Sequence, residues 1–371
     1  MTKKKIFLNL LFSLCLMFLL SSCNKREGDV VNMYNWGEYI DKEVLDEFTE
    51  ETGIKVNYET FVTNEDMYLK IKQGGSNYDI VVPSDYMIEK MIKEDMLEKI
   101  DKSKLSNYGN IDEKFLNKDY DPESKYSIPL YWGTLGIVYN KNLVDGEITS
   151  WADLWDLKHK DKIVMLDSSR DSLAAALLKN GFSMNSRNKE ELEIAKNDLI
   201  KQKKSILAYL VDETKDNMLA ENAAIAVMYS GDATELMDED EKFVYVKPKE
   251  GTNLWFDSMV ILKDAKNKEN AYKLIDFLIR KDILSKNMDY TYYAVPNQEV
   301  IDENELVKSV TEIDDEYFEK LEEIKFPKSL EIIDAKGYLF DECPNLKKII
   351  LPKGFELDLV YDDTVSIEYY E

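Results

Sequence analysis

Val30-Val31-Asn32-Met33-Tyr34-Asn35-Trp36-Gly37-Glu38-Tyr39 reads as a strand over residues 30–34 that carries aromatic and carboxylate side chains to its C-terminal end. Outward from it, residues 42–51 have helical spacing, with Val44, Leu45 and Phe48 on one side and Gly53 as the stop. Residues 54–60 are the next strand, 65–72 a helix closed at Gly74-Gly75, and 78–82 (Tyr-Asp-Ile-Val-Val) a strand again, followed by Pro83-Ser84-Asp85-Tyr86. Alternating strand and helix is the pattern of an α/β fold with helices on a mostly parallel sheet. The pattern returns later: strand 162–166, helix 172–178 closed at Asn180-Gly181, helix 190–201, strand 223–229 ending at Ser230-Gly231-Asp232, and an amphipathic helix over 268–280.

The unusual residues gather just after strands, at 36–39, 84–86, 167–171 and 229–232. Open α/β sheets hold ligands at the carboxyl ends of their strands. By residue type the candidate ligand-binding residues are the aromatics Trp36, Tyr39, Tyr86, Tyr229, Trp255 and Tyr293, the carboxylates Glu38, Asp171 and Asp257 and the hydroxyls of Ser84 and Ser168, with Gly37 and Asp85 beside them in the same stretches. Trp255 and Asp257 are two apart, so an extended segment places an indole and a carboxylate on one face. Packing in the core and a surface cap are the alternative for that pair, and Asp171 could serve only the first turn of its helix. Rings with carboxylates suit an alkyl chain bearing ammonium groups, because rings cover methylenes and carboxylates meet the charge.

The N-terminus has Lys3-Lys4-Lys5, a run over 6–20 that is apolar apart from Asn9 and Ser13, and then Leu20-Ser21-Ser22-Cys23. This has the form of a signal peptide over 1–22 and resembles the lipoprotein signal, in which Cys23 receives lipid. Of the three cysteines, Cys15 leaves with the signal and Cys23 is used for lipid, so Cys343 has no partner for an intrachain disulfide. Net charge is −25, and loss of the three signal lysines deepens it to −28. Such a balance argues against a nucleic-acid partner and favours the approach of a cationic solute. The one histidine, His159, lies between Lys158 and Lys160 and reads as surface. Ser150 caps a helix on which Trp151 and Trp155, i and i+4, pack on one face; Trp132 is expected near the crossing between lobes. There is no Gly-x-Ser-x-Gly, phosphate-binding glycine loop or metal-ligand spacing, and Asp238-Glu239-Asp240-Glu241 lacks the turn glycine of a calcium loop. No enzyme and no cofactor are expected.

Tyr34-Asn35-Trp36-Gly37-Glu38-Tyr39, Glu51-Thr52-Gly53-Ile54-Lys55-Val56, Tyr78-Asp79-Ile80-Val81-Val82-Pro83-Ser84, Ser127-Ile128-Pro129, Thr149-Ser150-Trp151-Ala152-Asp153-Leu154-Trp155, Trp255-Phe256-Asp257-Ser258 and Val295-Pro296-Asn297 together resemble the bacterial spermidine/putrescine-binding proteins of ABC importers, over about residues 29–300. The resemblance implies a two-lobed periplasmic-binding-protein fold (type II) with a hinge and an interlobe cleft that closes on ligand. It places Trp36, Glu38, Tyr39, Ser84 and Tyr86 near that cleft and Asp171, Tyr229, Trp255, Asp257 and Tyr293 in its pocket, with Trp255 against methylenes and Asp257 on an amine. It implies a monomeric carrier that hands a polyamine, putrescine or spermidine, to ABC transporter permease subunits, held to the membrane through lipid on Cys23 and facing the extracytoplasmic side. It divides the chain into signal 1–22, tether 23–29, lobe 1 (30–137 plus 258–300), lobe 2 (138–257 plus 301–325) and an atypical tail, 326–371.

Gly37, Ser168 and Tyr229 depart from residues common in that family, and so does the tail. Residues 316–324 read as part of a terminal helix. Beyond it, Asn345-Leu346 and Cys343 sit in a stretch similar to a fragment of a bacterial surface leucine-rich repeat, a repeat in which a short strand follows Asn-Leu. Two other functions fit parts of the sequence: a binder of the same fold for a different solute, and a surface adhesin using the tail. An anion binder would want arginines or helix N-termini at the cleft, and an adhesin a longer repeat array.

Overall fold

The computed structural model describes residues 29–74, 77–313 and 317, with the backbone of 348–352 and 366–370. The signal, Cys23, most of the tether, the helix expected over 316–324 apart from residue 317, and most of the tail lie outside the described residues. Two compact units divide the chain, Met1–Ile324 and Lys325–Glu371.

In the first unit, β1 (Val30–Trp36), α1 (Lys42–Thr52), β2 (Lys55–Phe61), α2 (Asn64–Lys72), β3 (Ile80–Val81) and α3 (Asp85–Lys93) follow the expected alternation. Local chemistry sets the boundaries. Asp41 caps α1 by accepting from the Glu43 N–H, and Gly53, at φ 73°, ends it. Thr63 caps α2 through the Asp66 N–H. β3 keeps only two of the five residues expected, because Pro83 follows and cannot donate to a ladder.

β4 (Ser127–Asn140) is the longest strand and buried throughout. After it come β5 (Ile163–Leu166), α4 (Ser169–Lys179), α5 (Lys189–Gln202), β6 (Ile206–Leu210), α6 (Thr214–Leu219), β7 (Ile225–Tyr229), α7 (Ser230–Glu239), β8 (Phe243–Val246) and β9 (Leu254–Ile261). Four helices close the unit: α8 (Lys268–Leu278), α9 (Lys281–Thr291), α10 (Gln298–Asp302) and α11 (Glu305–Thr311). The strand order is β2-β1-β3-β9-β4-β7-β5-β6, with β8 also on β4. Pairing is parallel among β1, β2 and β3 and among β5, β6 and β7. It is antiparallel around β4 and β9. The expected mostly parallel sheet is therefore two parallel flanks joined by an antiparallel centre, the form that results when a chain passes from one lobe to the other and returns.

The crossings are short. β4 pairs β9 up to Thr134 and β7 from Leu135, and β9 begins at Leu254. By strand pairing the divisions fall at 134/135 and 253/254, not at 137/138 and 257/258. The reason is that a single strand serves both lobes, so no loop marks the change. Trp255 and Asp257 consequently belong to lobe 1. Asn297 and Gln298, at the start of α10, bond to Asn110 and Asp112 of lobe 1, while the Lys247 ammonium of lobe 2 donates to the Val310 carbonyl of α11. Lobe 1 buries Val31, Met33, Phe48, Ile80 and Val260; lobe 2 is built on Trp151, Leu154, Ile163, Met165 and Ile225.

Two local expectations change, and a third, for Trp132, becomes more definite. Residues Trp151–Trp155 form a 3-10 helix, capped by Ser150 as expected. With three residues per turn the two tryptophans differ in burial and partners, though Trp155 still packs against the core that holds Trp151: Trp151 is fully buried and donates to the Gly251 carbonyl, whereas the half-buried Trp155 donates to that of Asp198. His159 is buried, not on the surface, and burial lowers its basicity. Trp132 is hinge packing: it lies just before the crossing, against Phe115, and donates to the Val295 carbonyl.

The second unit contributes β10 (Lys348–Pro352) and β11 (Ser366–Tyr370), paired in parallel.

Candidate functional site

The strand ends converge where the lobes face each other. Tyr39 follows the turn after β1, Tyr229 ends β7, Trp255 and Asp257 lie on β9, and Tyr293 follows α9. Their rings form a continuous series. Tyr229 meets Trp255 edge-on at 5.9 Å, Trp255 meets Tyr293 at 5.4 Å, Tyr293 meets Tyr39 at 5.3 Å, and Tyr39 meets Tyr131 at 4.9 Å. Two glycines let the rings approach. A Cβ on Gly133 would overlap the Trp255 ring, and one on Gly231 would overlap Tyr293.

Three aspartates stand around this box, each receiving one tyrosine hydroxyl. Tyr39 donates to Asp257 Oδ2 at 2.6 Å, Tyr229 to Asp171 Oδ2 at 2.9 Å and Tyr293 to Asp232 Oδ2 at 3.0 Å. The second oxygens of Asp171 and Asp257 are buried without a partner, as is the Trp255 indole N–H. Among the described residues, none of the three carboxylates forms an ion pair. Desolvation pushes Asp257 up to about 6 against the hydrogen bonds of Ser84 and Tyr39. It pushes Asp232 up to about 6 against the Lys215 charge and Tyr293, and it raises Asp171 against Ser168 and Tyr229. Carboxylates raised by burial and left half-bonded favour a cationic partner that restores the charge interactions lost from water.

The remaining candidates are placed as follows. Ser168 caps α4 through the Asp171 N–H, which fixes Asp171 in the first turn with its carboxylate on Tyr229. Its place in the first turn and its place beside the ring series thus coincide. Ser84 bridges to Asp257 along the sheet and is held by Asn64 on both its N–H and hydroxyl. Asp85 is buried and accepts from the Phe256 and Tyr86 N–H groups, so it ties α3 to β9. The Tyr86 hydroxyl donates to Glu65. Trp36 is half-buried, 4.5 Å from Phe61 and 6.4 Å from Tyr39. Gly37 and Glu38 are exposed, with Glu38 at φ 47° in the turn. The carboxylate of the Trp-Gly-Glu-Tyr segment therefore stays outside the buried cluster, while its tyrosine enters. Asp232 was not among the candidates. Its position in the first turn of α7, three residues after Tyr229 and next to Gly231, was the signal available.

Among the described residues, no group of three metal-ligating side chains occurs. A family model described as bacterial extracellular solute-binding protein matches residues 43–313. The spermidine/putrescine-binding periplasmic protein of Escherichia coli (strain K12) is 39% identical over 297 residues, 79% of this chain and 85% of that protein. Two solved structures share the fold. One is the spermidine/putrescine ABC transporter substrate-binding protein PotD from Streptococcus pneumoniae, with 44% identity, a TM-score of 0.73, and coverage of 81% of this chain and 94% of that one. The other is a putative spermidine/putrescine ABC transporter protein from Listeria monocytogenes, at 40% and 0.76, covering 80% and 94%. A box of rings with desolvated acids at a two-lobed hinge, and likeness along most of the chain, lead to one assignment: the chain belongs to the bacterial extracellular solute-binding proteins.

Proposed function

We propose that this protein captures a linear polyamine, putrescine or spermidine, between its lobes and delivers it to the permease of an ABC importer on the extracytoplasmic side. The observation that carries the reading is the set of three aspartates, each held by one tyrosine hydroxyl and without an ion pair among the described residues, around a shared aromatic box. An alkylammonium chain supplies what this box lacks. Its methylenes cover the Trp255 indole and its ammonium groups meet Asp257 and, on either side, Asp171 and Asp232. Tyr39, Tyr229 and Tyr293 hold the carboxylates and wall the chain. Ser84 and Ser168 set two of the acids in place, Tyr86 and Asp85 fix the edge of the box, and Trp36, Gly37 and Glu38 form its rim. The protein is a carrier, not a catalyst, and acts as a monomer. The names of its relatives point to the same ligand class.

Among the described residues no helix is long and apolar enough to cross a membrane. Attachment through lipid on Cys23 is part of the proposal. Fatty-acid labelling of the wild type and of Cys23→Ala in cells tests it, with label expected only in the former.

Titration calorimetry with putrescine, spermidine, spermine and cadaverine tests the ligand class. Saturable heat with one or more is expected. Absence of heat and of any melting shift with all four would overturn the reading.

A further inference from the structure

The lobes also meet beside the box. Glu65 stands in the first turn of α2 on lobe 1, and Arg170 in the first turn of α4 on lobe 2. Arg170 Nη2 donates to Glu65 Oε1 at 3.2 Å, and the Tyr86 hydroxyl donates to that same oxygen at 3.2 Å. The Arg170 guanidinium lies over the Tyr86 ring, 4.0 Å from its centroid. A cation from lobe 2 is thus held by an acid and a ring from lobe 1. The place is adjacent to the candidate site: Arg170 precedes Asp171, whose carboxylate receives the Tyr229 hydroxyl.

We infer that Arg170, clamped by Glu65 and Tyr86, is an interlobe clasp that sets how long the closed protein retains its ligand. The inference rests on the polyamine reading for its kinetic part. Arg170 has two opposed effects on a cationic ligand. Its own charge sits beside Asp171 and repels the ligand, while its bond to Glu65 keeps the lobes together. Glu65 settles which dominates. Ion pairing with Glu65 offsets the guanidinium charge, and the bridge exists only when α2 and α4 face each other across the cleft. The two side chains are 54% and 36% exposed, so the pair is screened by solvent. Its effect is correspondingly modest and salt-sensitive, reinforced by the cation–π contact.

The test is stopped-flow release of spermidine or putrescine from the full chain, followed by tryptophan fluorescence, for wild type, Glu65→Gln, Arg170→Gln and the double variant. Glu65→Gln is expected to speed release by roughly three- to tenfold at low salt, with association within about twofold. The double variant should release no faster than Glu65→Gln alone, and high salt should shrink the difference from wild type. An unchanged release rate in Glu65→Gln, or slower release in Arg170→Gln with the Glu65 effects simply adding, would show that Arg170 acts only as a nearby charge and would overturn the clasp. If the wild type binds no polyamine, the functional reading has failed and small-angle scattering of the ligand-free chains decides the clasp separately. A larger radius of gyration in Glu65→Gln at low salt supports it, and identical radii overturn it.

Discussion

Tyr39 and Asp257, 218 residues apart in sequence, share a buried hydrogen bond of 2.6 Å that joins the turn after β1 to the middle of β9. It leaves Asp257 Oδ1 unpartnered. Asp257→Asn keeps the shape and removes the charge. It is expected to weaken polyamine binding by roughly 2–5 kcal/mol, the range for losing one partner of a buried charge pair. Tyr39→Phe should cost about tenfold, since the acid survives but loses a donor that orients it. Calorimetry on both variants checks this, and equal affinities across the three proteins would remove Asp257 from the site.

Trp255→Ala should weaken binding at least tenfold while the protein stays folded. The ring is buried between Tyr229 and Tyr293 and offers the largest apolar face of the box. Far-ultraviolet dichroism separates loss of binding from loss of fold.

Acidity gives a prediction with a definite sign. Asp257 and Asp232 each sit near 6 in the folded protein, above the ordinary aspartate value of 3.8. A carboxyl raised in the folded state stabilises the fold most fully below the unfolded value, near 4, and that contribution disappears as pH rises through about 6. The ligand-free protein should therefore melt at lower temperature at pH 7 than its other titrations alone would give. At neutral pH, ligand-free Asp257→Asn should be more stable than wild type by up to about 3 kcal/mol. Ligand binding runs the opposite way, because an ammonium needs the ionised acid. Affinity should fall by about tenfold per pH unit below 6 for each acid engaged, with proton release at pH 6 visible as buffer-dependent heats. A flat affinity from pH 5 to 7 would contradict it.

Gly231→Ala is the smallest change that should spoil the box. Its methyl group would occupy the space of the Tyr293 ring, and the displaced ring would give up its bond to Asp232. We expect at least a tenfold loss of affinity with a melting change of a few degrees. Gly109→Ala is the control, since a Cβ there meets nothing and the residue lies outside the box.

Much of this was legible in the sequence because local rules act there. The alternation of strand and helix, the cap at Ser150, the stop at Gly53 and the clustering of rings after strands all depend on near neighbours. What escaped depends on distant chain. Glu38 and Tyr39 look equally suited to a site, but the turn at positive φ sends the acid outward and the tyrosine to Asp257. Asp232 reads as one acid among many until Tyr293, from another lobe, is laid on Gly231. His159 between two lysines looks solvated, and only packing within lobe 2 buries it. The antiparallel centre was hidden for the same reason: β4 is one continuous buried strand, and Gly133-Thr134 at its change of partner does not say which strands lie on either side.

The two strand crossings are bound to each other: the Leu135 N–H donates to the Asn253 carbonyl at 3.2 Å, and the Thr252 hydroxyl donates to the Leu135 carbonyl at 2.6 Å. Paired ribbons flex easily across their width and resist shear along their length. Opening should thus follow a single arc, so that the two jaws return to the same alignment on every cycle and a cargo is gripped in one pose instead of many.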